Sequence, residues 1–358
     1  MVRARTRHER WTERIVTLAQ SAAMAARSSG ERPEAAVRLT HLLTRVLDAG
    51  SDRPIHRAVD ALDARHAHEA ADIVLLAAAE AAGTLDMIAS RPDGDLAGVA
   101  WLFLIPIVVV APPMGVPGII PAGAAWEGLV RSLAVHGLVD DQSSLVVCHN
   151  ALYPAADLPR SWVAERQWLR LVVEGLRRQE PTLPPPAAAP AEAPSADTAC
   201  HLRFLVGAVL STGGEPPLWD TVDAEAPEGQ DRFGAWLESA EGFVQEALGV
   251  ERVLVGYPDR WDEAMDAGET LRNMAGASWA IEQHCDRAGC TPDAVLADVR
   301  WQGGEDGAWE VSLSSLGHVS PPWSWHPTYD PDEDRDALLD TLRSRGIRRM
   351  AVDERDKP

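Results

Sequence analysis

Over residues 1–90 the apolar positions recur at three- and four-residue steps, the period of one buried helical stripe. Trp11, Ile15, Leu18, Ala22 and Ala25 form one stripe; Leu39, Leu42, Leu43, Val46 and Leu47 form another. Gly30 and Pro33 separate them, Gly50 closes the second, and Pro54 stands where a first-turn proline is tolerated. One or two further helices are expected from Ile55 to Ile88.

The pattern changes from residue 96. Trp101–Val110 is continuous and rich in β-branched residues, as a strand buried on both faces should be. A Gly/Pro turn comes next, then a helix carrying Trp126, Leu129 and Leu133, a short strand Leu145–Cys148 and a Tyr153-Pro154 corner. Ser161 caps a helix whose Trp162, Leu169, Val172, Val173 and Leu176 share one side. The Pro/Ala-rich stretch Pro181–Ala199 has no apolar period and reads as an extended, protease-accessible spacer. Beyond it the order repeats: strand His201–Leu210, a Gly/Pro turn, a helix carrying Trp236, strand Val253–Val255 and a Tyr257-Pro258 corner. A helix through Leu271, Ile281 and Cys285 comes next, then a hairpin of Ala294–Trp301 with Trp309–Leu316, a helix from Asp334 to Arg345 and a strand Ile347–Val352.

This alternation defines an α/β fold. A helical N-terminal segment (1–95) is followed by two tandem α/β units (96–180 and 200–358), joined by the linker 181–199, with a mixed sheet containing an antiparallel hairpin. The matching order predicts an internal duplication, with Trp126 and Trp236 on corresponding helices.

Composition narrows the class. The chain of 358 residues is 46% apolar and 24% charged, which suits a globular protein of more than one domain. A net charge of −21 repels nucleic acid and anionic membranes. Leu96 to Trp126 carries no charge, but its prolines argue against one membrane-spanning helix. No signal peptide is visible, and four cysteines in this length make no disulfide scaffold, so a cytoplasmic place is expected.

Candidate chemistry is sparse. Cys148-His149, Cys200-His201 and His284-Cys285 invite a zinc reading, but adjacent strand residues face opposite ways and no short cysteine pair repeats, so neither metal nor cofactor is expected. Cys148 at a strand end could act as a nucleophile only if a histidine other than its sequence neighbour approached it. No phosphate loop, dinucleotide fingerprint or nucleophile elbow occurs. Trp323, Trp325 and Tyr329 lie in a Pro-rich stretch without a period, either packed on the core or presented to a partner.

The uncharged Trp101–Ala125 stretch, Leu152-Tyr153-Pro154 with Leu158-Pro159-Arg160-Ser161, and Arg203-Phe204-Leu205-Val206-Gly207 resemble a family of uncharacterised bacterial proteins known as a domain of unknown function. The resemblance implies no activity, cofactor or catalytic residue.

Three functions remain open, in order of expectation. The first is a non-catalytic protein–protein interaction or accessory role in a bacterial cytoplasmic complex, with a protein partner held by Trp323, Trp325 and Tyr329. The second is an enzyme or small-molecule binder with a pocket between the two α/β units at Cys148, His149, Tyr153 and Tyr257. The third is nucleic-acid contact through the N-terminal helix bearing Arg3, Arg5, Arg7, Arg10 and Arg14, which the net charge disfavours.

Overall fold

Thr6 starts the first helix with a capping box: its hydroxyl accepts from Glu9 N at 3.2 Å, and Glu9 Oε2 accepts from Thr6 N at 2.6 Å. Helices α1 (Arg7–Ala26), α2 (Glu34–Asp48), α3 (Arg53–Asp63) and α4 (His68–Gly83) enclose one core of Ile15, Leu39, Leu43, Ile55, Leu62 and Val74. Ile15, Leu39 and Leu43 belong to the stripes expected from the sequence. The computed structural model describes residues 6–27, 33–91, 94–111, 116–139, 144–178, 183–186, 200–212, 217, 227–302, 307–326 and 331–353.

The helical reading to Ile88 is corrected. Helix α4 stops at Gly83, Thr84 turns extended (φ −125°, ψ 143°), and Thr84–Arg91 is strand β1. It pairs antiparallel with the first half of β2 (Gly94–Val110), from Thr84↔Trp101 to Arg91↔Gly94. That edge of the long apolar strand would otherwise present unpaired backbone groups.

Strand β2 organises the first sheet and the helices on it. Ala100, Leu102, Leu104 and Val108 face one core, and Phe103, Ile105, Ile107 and Val109 face another. The second core is closed by α5 (Ala124–Val135) and α7 (Pro227–Leu248), the first by α6 (Trp162–Arg178) and α8 (Trp261–Ala288). Strand β4 (Cys200–Thr212) lies between β2 and β3 (Ser144–Tyr153), while β5 (Arg252–Val255) pairs with the end of β2. All these pairings are antiparallel, so β2 and β3 run one way around α5, and β4 and β5 run the other way around α7. The two strand–helix–strand runs have the same order and direction, each with a central strand of the other inserted into it. Trp126 and Trp236 occupy α5 and α7.

The segments on either side of 181–199 therefore interleave in one sheet. Residues 183–186 are docked and not a free spacer: Leu183 is buried and Pro184 O accepts from the Tyr153 hydroxyl at 2.8 Å. Positions 181–182 and 187–199 of the expected linker lie outside the described residues. Register brings Phe103 opposite Gly207, where a Cβ would sit 2.3 Å from the phenyl ring, so the glycine makes room for the aromatic ring across the strands.

The strands of 200–358 divide between two sheets. The second contains β6 (Leu296–Gln302), β7 (Ala308–Ser315), β8 (His318–Val319), β9 (Trp323–Trp325) and β10 (Arg349–Asp353). The expected β6–β7 hairpin forms, and β10 adds in parallel to β6, which makes this sheet mixed. Helix α9 (Pro331–Ser344) and the C-terminal half of α8 cover its core. Among the described residues no helix is long and apolar enough to cross a membrane.

Arg166 of α6 ties the helical segment to the central sheet. It is 3% exposed and donates to Asp48 Oδ1, to Ala81 O at 2.8 Å and to Thr84 O, closing the C-terminus of α4. Arg170 adds a contact to the same Asp48 oxygen at 2.7 Å. Asp48 is 36% exposed and keeps Arg170, so removing Arg166 acts mainly through the carbonyls of Ala81 and Thr84, which lose its donors at about 1–3 kcal/mol each. Arg166→Leu is expected to lose that much in urea unfolding; a loss under about 1 kcal/mol would show that the helices are held by apolar contact alone.

Candidate functional site

The two Pro-containing corners that end β3 and β5 each hand the chain to a helix on the same face of the sheet. Pro159, Arg160 and Ser161 precede α6, and Asp259 and Arg260 precede α8. The starts of these helices converge, with α3 closing the third side, around a cleft of about 540 Å³. Trp162 and Trp261 form walls, Met265 and Pro159 supply apolar surface, and Glu165, Asp262 and Asp266 supply carboxylates. Volumes of this order suit a small organic ligand.

The walls are fixed. The Trp261 indole N–H donates to Pro159 O at 3.2 Å, and its ring meets Trp168 edge-on at 5.9 Å. Trp168 in turn meets Tyr153 at 5.0 Å. Trp162 stacks on His56 with centroids 5.0 Å apart. The Arg260 guanidinium lies 6.0 Å from the centre of the Trp101 ring.

Glu165 is the unusual group. It is 7% exposed, it lines both the cleft and a narrower crevice running back to α4, and no described residue hydrogen-bonds its carboxyl oxygens. Gly83 leaves room for it, since a Cβ there would stand 3.3 Å from Glu165 Oε1. Burial, then repulsion from Asp262 and Glu263, holds this carboxyl well above the usual carboxylate range, against a smaller opposing pull from Arg260. Asp262 and Asp266 are raised too, by partial desolvation first and by their acidic neighbours second. Perturbed carboxylates gathered in a cleft mark a candidate site.

The residues expected to line a pocket between the units do not assemble. Tyr153 and Tyr257 belong to cores on opposite faces of the sheet; Tyr257 packs on Phe233 at 4.8 Å. Cys148 and His149 point to opposite faces, as neighbours on a strand must. His149 Nδ1 lies 3.2 Å from the Tyr153 hydroxyl, and burial lowers its pKa. Desolvation pushes the Cys148 thiol up to about 12, so it is protonated at neutral pH and unsuited to nucleophilic attack. The cleft lies instead at the starts of α6 and α8 with α3, away from the strand ends. Glu165 gives no signal in the sequence, because a glutamate in the first turn of a helix ordinarily serves the helix dipole.

The partner-anchor reading of Trp323 and Trp325 is also corrected. They are 3% and 1% exposed, and register sets Trp301, Trp309 and Trp325 in one row across β6, β7 and β9. Indole rings bury large apolar areas, and this sheet has few other large side chains to fill its core. Tyr329 lies outside the described residues, as do Arg3 and Arg5 of the N-terminal basic run. Arg10 and Arg14 are exposed on α1, and Arg7 stacks over Trp11 at 4.2 Å.

His284 and Cys290 belong to a hydrogen-bonded network with two serines. His284 lies between the hydroxyls of Ser320 (2.7 Å) and Ser315 (2.8 Å), and Cys290 Sγ is 3.3 Å from Ser315 Oγ. Burial lowers the pKa of His284, and a neutral ring offers one donor and one acceptor for these two hydroxyls. Among the described residues, no three His, Cys, Asp or Glu side chains are grouped as a metal site requires.

Residues 1–272 match the family described as Protein of unknown function (DUF2863), and the chain belongs to it. The match ends within α8, short of the second sheet, and contains every residue lining the cleft. No curated protein and no solved structure matches the chain.

These placements have two measurable outcomes. Trp323→Ala with Trp325→Ala should destabilise the C-terminal sheet, at roughly 3–5 kcal/mol for each ring removed; unchanged unfolding midpoints would return both rings to the surface. Cys148 should resist iodoacetamide at pH 7.5 in the folded protein and react once unfolded, as peptide mass spectrometry reads; fast native labelling would contradict the raised pKa.

Proposed function

We propose that this protein binds a small molecule in the cleft between α3, α6 and α8. One observation carries the reading: Glu165, buried and without a side-chain hydrogen-bond partner among the described residues, lines a fixed cleft large enough for a ligand. A largely buried carboxyl destabilises the fold when it is ionised, and such a cost is commonly retained where function uses it. The chain's acidic charge supports a role away from nucleic acid, and the reading places it in a bacterial cytoplasm. A protein partner has lost its two tryptophan anchors, so ligand binding leads. We further propose that the two interleaved strand–helix–strand runs descend from a duplication, with the cleft formed where their following helices meet.

Ligand-observed NMR of the full-length protein against a fragment library tests the site. Hits should be lost in Met265→Trp, which fills the cleft from α8, at an unchanged melting temperature. Hits indifferent to that change would place binding elsewhere.

The raised carboxyl gives a second test, with a definite sign. A carboxyl whose folded pKa exceeds its unfolded value costs nothing below the unfolded value. The cost grows as pH rises from there towards the folded value, and persists above it. Glu165→Gln should therefore leave the melting temperature unchanged near pH 4 and raise it at pH 8, by ~2–4 °C for each kcal/mol recovered. A fall at pH 8 would mean that the carboxylate is satisfied and structural.

A further inference from the structure

The cleft has walls, depth and a missing counter-group, and its chemistry narrows what can enter. Glu165 is more than nine-tenths buried and lines both the cleft and the crevice behind it. Around it stand Asp262, Glu263 and Asp266 of α8, Arg260 before α8, Arg160 before α6, His56 of α3 and Glu80 of α4. The carboxylates outnumber the two arginines, and their mutual repulsion contributes to the raised protonation of Glu165, Asp262 and Asp266. An anion entering here would add to that repulsion. A neutral polyol would leave it in place. A cation relieves it and gives the Glu165 oxygens donors that no described neighbouring side chain provides.

The tryptophans bear on the same choice. Ring faces attract cations, most strongly for indole, by about 0.5–2 kcal/mol according to desolvation. Trp261 is held by its bond to Pro159 O, so its ring is set in place before a ligand arrives. Met265 and Pro159 complete an apolar lining suited to a short hydrocarbon body. No grouping of three ligating side chains of the kind a metal ion requires is present among the described residues, whereas one deep carboxylate beside two indoles matches a single ammonium head.

We propose, building on the binding role assigned to this cleft, that its ligand is a small organic ammonium ion whose charged nitrogen seats on Glu165 and whose apolar body lies between Trp162 and Trp261. Binding favours the ionised form of Glu165, which burial and the neighbouring acids disfavour in the empty cleft.

Isothermal titration of the full-length protein with pentylamine, 1,4-diaminobutane, pentanol and pentanoate at pH 7 tests this. The amines should bind, the alcohol and the carboxylate at least tenfold more weakly. Glu165→Gln, checked for folding by circular dichroism, should weaken the amines about tenfold or more while leaving pentanol unchanged. An amine should also bind more weakly at pH 5 than at pH 8, as a carboxyl with a raised pKa that must ionise requires. If pentanol or pentanoate binds as tightly as the amines, and Glu165→Gln alters none of them, the ammonium assignment is overturned and the cleft stands as a site for another class. If none of the four binds and the fragment hits also ignore Met265→Trp, both assignments fall.

Discussion

A strand buried on both faces can exist only if other parts of the chain cover both faces and both edges. Strand β2 sets that condition here, because Leu102 to Val110 are all buried and none is charged. Every backbone donor and acceptor along it must find a partner, since water is excluded from its length. Strand β4 satisfies one edge from Gly98 to Val110; β1 and β5 share the other. The apolar faces then require α5 with α7 on one side and α6 with α8 on the other. The cleft lies where α6 and α8, packed on the same face, bring their starts together.

Much of this was written locally. Helical stripes such as Leu39-Leu42-Leu43-Val46 and the continuous apolar run of β2 fixed element type, because burial on one stripe or on two faces leaves a periodic trace. The repeated strand, helix, strand and Tyr-Pro corner was legible as well. What those patterns could not carry was which strands pair. Nothing in Trp101–Val110 or His201–Leu210 states that each will lie beside the other and not beside its own sequence neighbour. Pairing is decided by non-local register, including the fit of Phe103 over Gly207. The same limit explains Trp323 and Trp325: three residues of β9 are too short to show an alternation, so buried rings read as loop aromatics.

Glu165 and Arg166 show why the site escaped a reading of residue types. They are neighbours on α6, of opposite charge and both nearly inaccessible, yet their circumstances differ. Arg166 is matched to a carboxylate and two carbonyls that the end of α4 would otherwise leave unpaired. Its burial is explained by structure. Glu165 faces the other way, into a cleft, with acids nearby and no donor on its oxygens among the described residues. The helix can bury the second only because the first secures its position against the helical segment, so one residue anchors the wall and the next is presented from it.

Helix α8 links this arrangement to the part of the chain beyond the family match. Its first turn and a half supplies Trp261, Asp262, Met265 and Asp266 to the cleft, and its later turns supply Ala277, Ala280 and Ile281 to the core of the second sheet. Asn273 stands between these duties: its amide donates to His326 O at 2.7 Å, and its oxygen accepts from His326 N at 3.3 Å. Further along, His284 joins the helix to Ser315 and Ser320. A helix of 28 residues held along its C-terminal half by a packed sheet has little freedom to tilt or slide at its N-terminal end. The second sheet thus contributes no residue to the cleft but limits the movement of one of its walls, which favours a site shaped before its ligand arrives over one that closes around it.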